Sequence, residues 1–496
     1  MTRFSGLAAI AQSGRSYDVV VVGSGPAGAM VASVVAAAGA SVAVVEEGDW
    51  TAPADYPLDY ARASALLYRD HGLTTMMGRS PTPYLQGKAV GGTSVVNGAI
   101  SWRLPQDVHD AWLQRDPALA KTIPYEQLAA AMDAIETRLN ILPTDPAIAG
   151  RKNSLMALGA DKLGLEHRPI SRNVVACKGS GRCMQGCPNG AKQSMDRTYL
   201  LDAEGQGADV FSGVRVTRVL HDGKRSTGVQ GLVGKARWVL HSKIVVLAAS
   251  AVGSPLLLLR SGLGQGPVGH GFSCHPGTSV AGQFQDDMFA WEGATQGHEV
   301  IGLRHQGLKF EALGFDLSVL AARLPGVGRE LMQSLGTMHK EVDWGVAVKS
   351  TALGRVRSLF GQTVVSWSAS PQDVEKFRQG VTVLGQLLLA AGADHVYLGV
   401  FGWQAPLRTS AEVERFGREG PLDGRAYQTV ATHLFGTCKM GSDPTRSVVR
   451  PDFAHHHLGG LFVADSSVFP SNTGVNPQTS ILAMAAQCGR FVVQAL

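Results

Sequence analysis

The clearest signal in the pattern of apolar and polar positions is a run that does not alternate at all. From Tyr17 to Val22 the residues are almost continuously apolar and β-branched, as in a strand buried on both faces. The run empties into Gly23, Gly25 and Gly28, passes into an Ala-rich stretch of helical length ending at Gly39, and resumes as a second strand, SVAVVE, closed by Glu46. Strand, glycine turn, helix and strand in that order predict the opening unit of a doubly wound α/β sheet. Further on, ADVFSGVRVTRVLHDGKRSTGVQGLV reads as a meander and KIVVLAAS as another buried strand. Gly253, Ser254 and Pro255 are expected to open the helix LLLLRSG.

Residues 106–170 read as helical and polar, with Pro124 leading into YEQLAAAMDAIETRL. A helix is predicted from Pro371 to Ala391, with Ser370 as N-cap, Pro371 in the first helical position and Asp373 in the first turn. Between about 268 and 424, short strand-like runs such as VGHGFSCHPGTSVAGQF and WGVAVKS mix with helix, as suits a substrate domain inserted between parts of a nucleotide-binding one. No repeat, low-complexity segment or clean linker separates the two, so the chain is expected to cross between domains more than once.

The glycine turn carries the first chemistry. Gly23 allows the turn, Gly25 lets a pyrophosphate approach the backbone at a helix N-terminus, and Gly28 lets helix and strand close up. Glu46 falls where a carboxylate meets a ribose hydroxyl. A second glycine-rich stretch, YLQGKAVGGTSVVNGAISWRLP, has the small residues that let backbone lie flat against a ring system, and reads equally as a plain glycine loop.

Bulk properties add exclusions. The chain has 496 residues and a formal net charge of +5 without a run of like charges, which gives no footprint for nucleic acid. Met1 to Ser16 lacks the apolar core and cleavage site of a signal peptide, and the most apolar stretch, Ile244 to Leu259, is interrupted by Gly253 and Pro255. No membrane span is expected; a cytoplasmic location is the default, and export would depend on a partner subunit.

Taken together, GSGPAG followed by VVEEG, then GGTSVVNG, VVLAASAVGSPLLLLRSG, HLFGTCKMG and GLFVADSSVFPSNTGVNPQTSILAMA resemble the glucose-methanol-choline (GMC) oxidoreductase family from end to end, in the family's order. The resemblance implies an FAD-binding Rossmann-type domain interleaved with an α+β substrate domain, an antiparallel sheet backed by helices. The FAD-binding parts would be 15–105, 205–277 and 445–496, and the substrate domain 106–204 and 278–444. It places the pyrophosphate on Gly23, Gly25 and Gly28, the adenosine ribose on Glu46 and adenine against the backbone of Val216. Gly91, Gly92, Thr93 and Asn97 would line the flavin ring, with Asp465 near the ribityl and pyrophosphate. Some relatives bind FAD through a histidine near position 97; Asn97 implies non-covalent FAD.

The same resemblance makes His433 the base and Asn476 its partner. An imidazole of near-neutral pKa can accept a hydroxyl proton while hydride leaves the same carbon for flavin N5. Asn476 cannot titrate, so its part would be to hold the alcohol oxygen in line. The implied activity is oxidation of a CH–OH group in an alcohol or sugar, with electrons passed to a partner or a diffusible acceptor. An oxygen-using alcohol or sterol oxidase and a non-redox FAD-containing member are the alternatives. Substrate walls would come from the 278–430 region, where Trp291, Phe315, Trp344, Trp367, Phe401 and Trp403 are candidates for an aromatic wall and equally for plain core.

Cys177, Cys183 and Cys187 stand at C-x5-C-x3-C, spacing that glycines between thiolates make suitable for an iron-sulfur cluster or, with a fourth ligand such as His167, zinc. The segment is similar to one in bacterial FAD-dependent glucose and fructose dehydrogenase catalytic subunits. That similarity implies a 3Fe-4S cluster and an electron-accepting cytochrome or small subunit; a structural loop with buried thiols or a local disulfide is the alternative. His455, His456 and His457 read as a solvated turn, because consecutive side chains point apart.

Overall fold

The computed structural model describes residues 2–322, 324 and 326–496. Two sheets organise it. In the first, Thr2–Phe4, Asp209–Phe211, Val42–Val45, Ser16–Val22 and Ala236–Leu247 lie side by side, all parallel. Ala236–Leu247 serves two neighbours along its other edge. Its first half pairs antiparallel with Ser226–Val233, which folds back from Val214–His221, and its end pairs parallel with Leu461–Val463. Val19 to Val22 and Val42 to Val45 are buried throughout, as a parallel sheet covered by helices requires. Helix Pro26–Ala37 packs between helices Gln478–Gln494 and Tyr199–Gly205, which joins the two ends of the chain in one core.

The glycine turn is as tight as its sequence demands. A Cβ on Gly28 would fall 1.8 Å from the Gly23 carbonyl oxygen, and Gly23 itself has φ +103°. No other residue fits at position 28 without moving the turn away from the helix.

The second sheet is antiparallel. Its spine is His270–Gln283, which pairs with Glu341–Val348, Gly354–Leu359, His395–Tyr397 and Val430–Phe435 along its length. Leu308–Leu313, His298–Val300 and His167–Pro169 extend it beyond Glu341–Val348. Helix Pro371–Ala390 backs this sheet with Phe377, Val381, Leu384 and Leu388, and starts with the expected Ser370 and Asp373 in a full capping box.

The spine is one strand of fourteen residues, inside the expected run VGHGFSCHPGTSVAGQF. One detail differs from the sequence reading. The helix expected to begin around Gly253 instead runs Ser250–Arg260, with Pro255 inside it. Pro255 has no N–H for the carbonyl of Ala251, and that carbonyl takes the Thr437 hydroxyl instead, at 2.7 Å.

Candidate active site

A cavity of about 920 Å³ runs between the two sheets. At one end it is lined by Gly23, Gly25, Glu46 and Val216, along its middle by Gly92, Thr93, Asn97 and Asp465, and at the other end by His433 and Asn476. Residues scattered over more than 450 positions are gathered into one channel because Ser16–Val22 and Ala236–Leu247 end side by side, at the glycine turn and at Ala248.

Gly28 and Gly91 do not line the cavity; they hold its wall. Gly28 packs beneath the turn, and Gly91 donates its N–H to the Ser24 hydroxyl at 2.9 Å. Gly92 lies against the glycine turn so closely that a Cβ would come within 2.7 Å of the Gly25 Cα. Two glycine loops thus meet and leave bare backbone facing the channel, a cradle that fits the pyrophosphate and ring of a flavin dinucleotide.

The carboxylates are built into the frame. Glu46 accepts from the Ser24 N–H at 3.0 Å, the Ser24 hydroxyl at 2.8 Å and the Gly48 N–H at 2.9 Å. Burial pushes its pKa up, against those hydrogen bonds. Asp465 accepts from the Ser250 N–H at 2.9 Å and the Ser467 N–H at 2.8 Å, and binds the Ser254 hydroxyl. Its pKa too is raised by burial. Asn97 donates to Gln478 at 2.7 Å, tying the central loop to the start of the last helix.

At the far end, His433 comes from strand Val430–Phe435 and Asn476 from the turn before helix Gln478–Gln494. Burial, and then the Lys309 ammonium, push the His433 pKa down to about 3, so the ring is neutral at ordinary pH. Behind it stands His275, whose Nδ1 is 3.2 Å from Nδ1 of His433. The Gly474 N–H donates to Nε2 of His275 at 2.9 Å, which puts the proton of neutral His275 on Nδ1. Donated across the contact, that proton leaves His433 with its own on Nε2, the nitrogen left for the cavity.

Sequence reasoning missed His275, Lys309 and Glu311. Lys309 and Glu311 did leave a signal, two charges at alternate positions in the otherwise apolar LKFEAL. Of the aromatic candidates, Phe315 lines the cavity. Trp344 and Trp367 are buried, and Phe401 is 77% exposed.

The three cysteines do come together, around a separate small cavity that Arg172, Lys192 and Thr295 also line. Arg172 stands among them: its guanidinium donates to Cys177 Sγ at 3.8 Å and to Cys183 Sγ at 3.3 Å. Burial alone would raise the Cys183 thiol, but Arg172 and Lys192 outweigh it and hold its pKa below the ordinary value. Among the described residues no three His, Cys, Asp or Glu side chains are placed to share a metal ion. His167 contacts His298 at 2.8 Å and Asp161 at 2.9 Å. This arrangement does not fit the expected cluster or a zinc ion, because an arginine takes the place between the sulfurs. The histidine run also departs from expectation: His455 is buried, and His456 contacts the Ser447 hydroxyl at 2.8 Å.

No helix among the described residues is long and apolar enough to cross a membrane.

Comparison with known proteins bears on the family and the fold. The GMC oxidoreductase profiles match residues 20–277 and 357–485. An uncharacterised GMC-type oxidoreductase of Mycobacterium tuberculosis is 37% identical over 476 residues, 94% of this chain and 74% of the relative. A long-chain-alcohol oxidase of Arabidopsis thaliana is 28% identical over 506 residues, 97% of this chain and 69% of the relative. Pyridoxine 4-oxidase from Mesorbium loti superposes with a TM-score of 0.72 at 17% identity, over 95% of this chain and 98% of that one, which shows a shared fold.

Proposed function

The chain belongs to the GMC oxidoreductase family, and from that premise we propose that it oxidises a CH–OH donor at the His433 and Asn476 end of the channel. The observation that carries the reading is the channel itself, lined by the glycine cradle and by a neutral, half-buried histidine together with an amide. FAD, when bound, supplies the acceptor for the hydride. In this reading Gly23, Gly25 and Gly28 shape the pyrophosphate cradle, with Glu46 and Val216 at the adenosine end. Gly91, Gly92, Thr93 and Asn97 form the wall for the ring, Asp465 holds the frame between, and the cofactor is non-covalent.

His433 and Asn476 hold the donor oxygen and exclude water from it. His433 then takes the hydroxyl proton on Nε2. To do so it must carry its own proton on Nδ1, so the contact with His275 has to break when the donor enters. Depressed proton affinity keeps the ring neutral at any ordinary pH, and makes it a weaker base than the near-neutral imidazole expected from the sequence. The electron acceptor is a separate part of the proposal. Electrons leave the flavin for a partner or a diffusible acceptor. The long-chain-alcohol oxidase relatives make oxygen the first acceptor to test.

Anaerobic bleaching of the bound flavin by a panel of primary, aryl and sugar alcohols tests the reading. Reduction by at least one class supports it, and failure of every class opposes it. Peroxide formation on admitting air then separates oxygen from other acceptors.

A further inference from the structure

Lys309 is 1% exposed, the second residue of a strand buried along its whole length. The register of the sheet explains part of its presence. Glu299 and Glu311 are direct partners on adjacent strands, and two carboxylates so placed repel. The Lys309 ammonium bridges them, 2.7 Å from Glu299 Oε2 and hydrogen-bonded to Glu311 Oε1. Each carboxylate has further support. Glu299 accepts from Trp102 Nε1 and Arg168 Nε, both at 2.8 Å, and Glu311 accepts from Gln296 Nε2 at 2.7 Å.

An ammonium has three N–H groups. Two go to the carboxylates, and the third goes to Oδ1 of Asn476, at 2.8 Å. That bond decides which way the amide faces. With Oδ1 turned back into the sheet, Nδ2 is the end of Asn476 left for the cavity.

We propose that Lys309 is a positioning residue for the reaction, locking the Asn476 amide so that an N–H, and not a carbonyl, meets the donor oxygen. The proposal rests on the reading of His433 and Asn476 as the pair around that oxygen. The lock matters most as the reaction proceeds. A hydroxyl can donate to a flipped amide carbonyl, but the oxygen gathers negative charge once its proton leaves, and a carbonyl then repels it. An interaction that strengthens along the reaction acts on the rate more than on binding.

The experiment is a double-mutant cycle on anaerobic flavin reduction, using the alcohol of the panel that bleaches the wild type fastest. Lys309→Met is expected to slow the limiting rate about tenfold or more with little change in half-saturation. In an Asn476→Ala background the same substitution is expected to add less than about twofold. Because Lys309→Met leaves Glu299 and Glu311 facing each other, Lys309→Met/Glu311→Gln, measured against Glu311→Gln alone, repeats the test with one charge fewer. Equal slowing in both Asn476 backgrounds, or no slowing in flavin-loaded variants, overturns the proposal for Lys309. Wild-type rates in both His433→Ala and Asn476→Ala would instead overturn the reading beneath it.

Discussion

His275 and His433 face each other Nδ1 to Nδ1 at 3.2 Å, and the Gly474 N–H closes the far side of His275 at 2.9 Å. The backbone amide fixes the tautomer of the first ring, and through it that of the second. The closed pair therefore presents His433 to the channel as an N–H donor. Base catalysis needs the opposite tautomer, which makes His275 a restraint on His433.

Replacing His275 with Phe should lift that restraint. Phe keeps a ring against Phe435, whose centroid lies 5.0 Å away, while the Gly474 N–H loses its acceptor. The expected cost is about 1–3 kcal/mol of stability, with flavin reduction as fast as in the wild type or faster. Stopped-flow reduction of the flavin-loaded variant checks this. Slowing by about tenfold or more would mean that His275 assists the proton transfer.

Acid should weaken the fold. Burial holds the pKa of His433 at about 3, those of His298 and His455 at about 4, and that of His275 well below the ordinary value. Above about pH 6.5 these side chains are neutral whether the chain is folded or not, and they contribute no pH dependence. Below it the unfolded chain takes up protons that the folded chain refuses, so stability falls as pH falls. Glu341, raised to about 8 by burial and then by Asp343, works the other way, and so do Glu46, Asp196 and Asp465, whose pKa values burial also raises; the drop is expected from the four histidines, which the unfolded chain protonates just below neutral pH. The thermal midpoint is expected to drop between about pH 7 and about pH 5; a flat or rising midpoint would contradict this.

Gly28→Val should abolish cofactor binding, since its Cβ alone would lie 1.8 Å from the Gly23 carbonyl oxygen. The expected product is colourless, with free FAD failing to restore the visible flavin spectrum. A yellow variant would show that the turn has more room than its geometry gives it.

The cysteine loop should carry no cluster. Anaerobically purified protein is expected to show flavin bands alone. Broad absorbance beyond them, with about three irons and four sulfides per chain, would mean that Arg172 moves aside for a cluster.

Legibility in the sequence followed the range of the forces involved. The turn at Gly23 to Gly28 could be read because steric exclusion of a side chain is a local matter, and the Val-rich strands because burial on both faces leaves a continuous apolar run. His270–Gln283 was harder: Pro276 and three glycines break its alternation, while pairing with four other strands keeps it extended. Pro255 misled because Thr437, far along the chain, satisfies the carbonyl that the proline strands. The link from Lys309 to Asn476 spans 167 positions, and no local pattern announces a contact at that distance. The cysteine spacing gave no warning of Arg172, which the fold lays between two of the sulfurs.

In the proposed reaction His433 works on the donor at the end of a flavin-holding channel. Anaerobic flavin reduction by the fastest alcohol of the panel, compared between wild type and His433→Ala, tests it most directly. The predicted result is a variant that stays yellow and keeps its FAD, while its flavin is reduced about a hundredfold more slowly or worse. Reduction at the wild-type rate would contradict the claim.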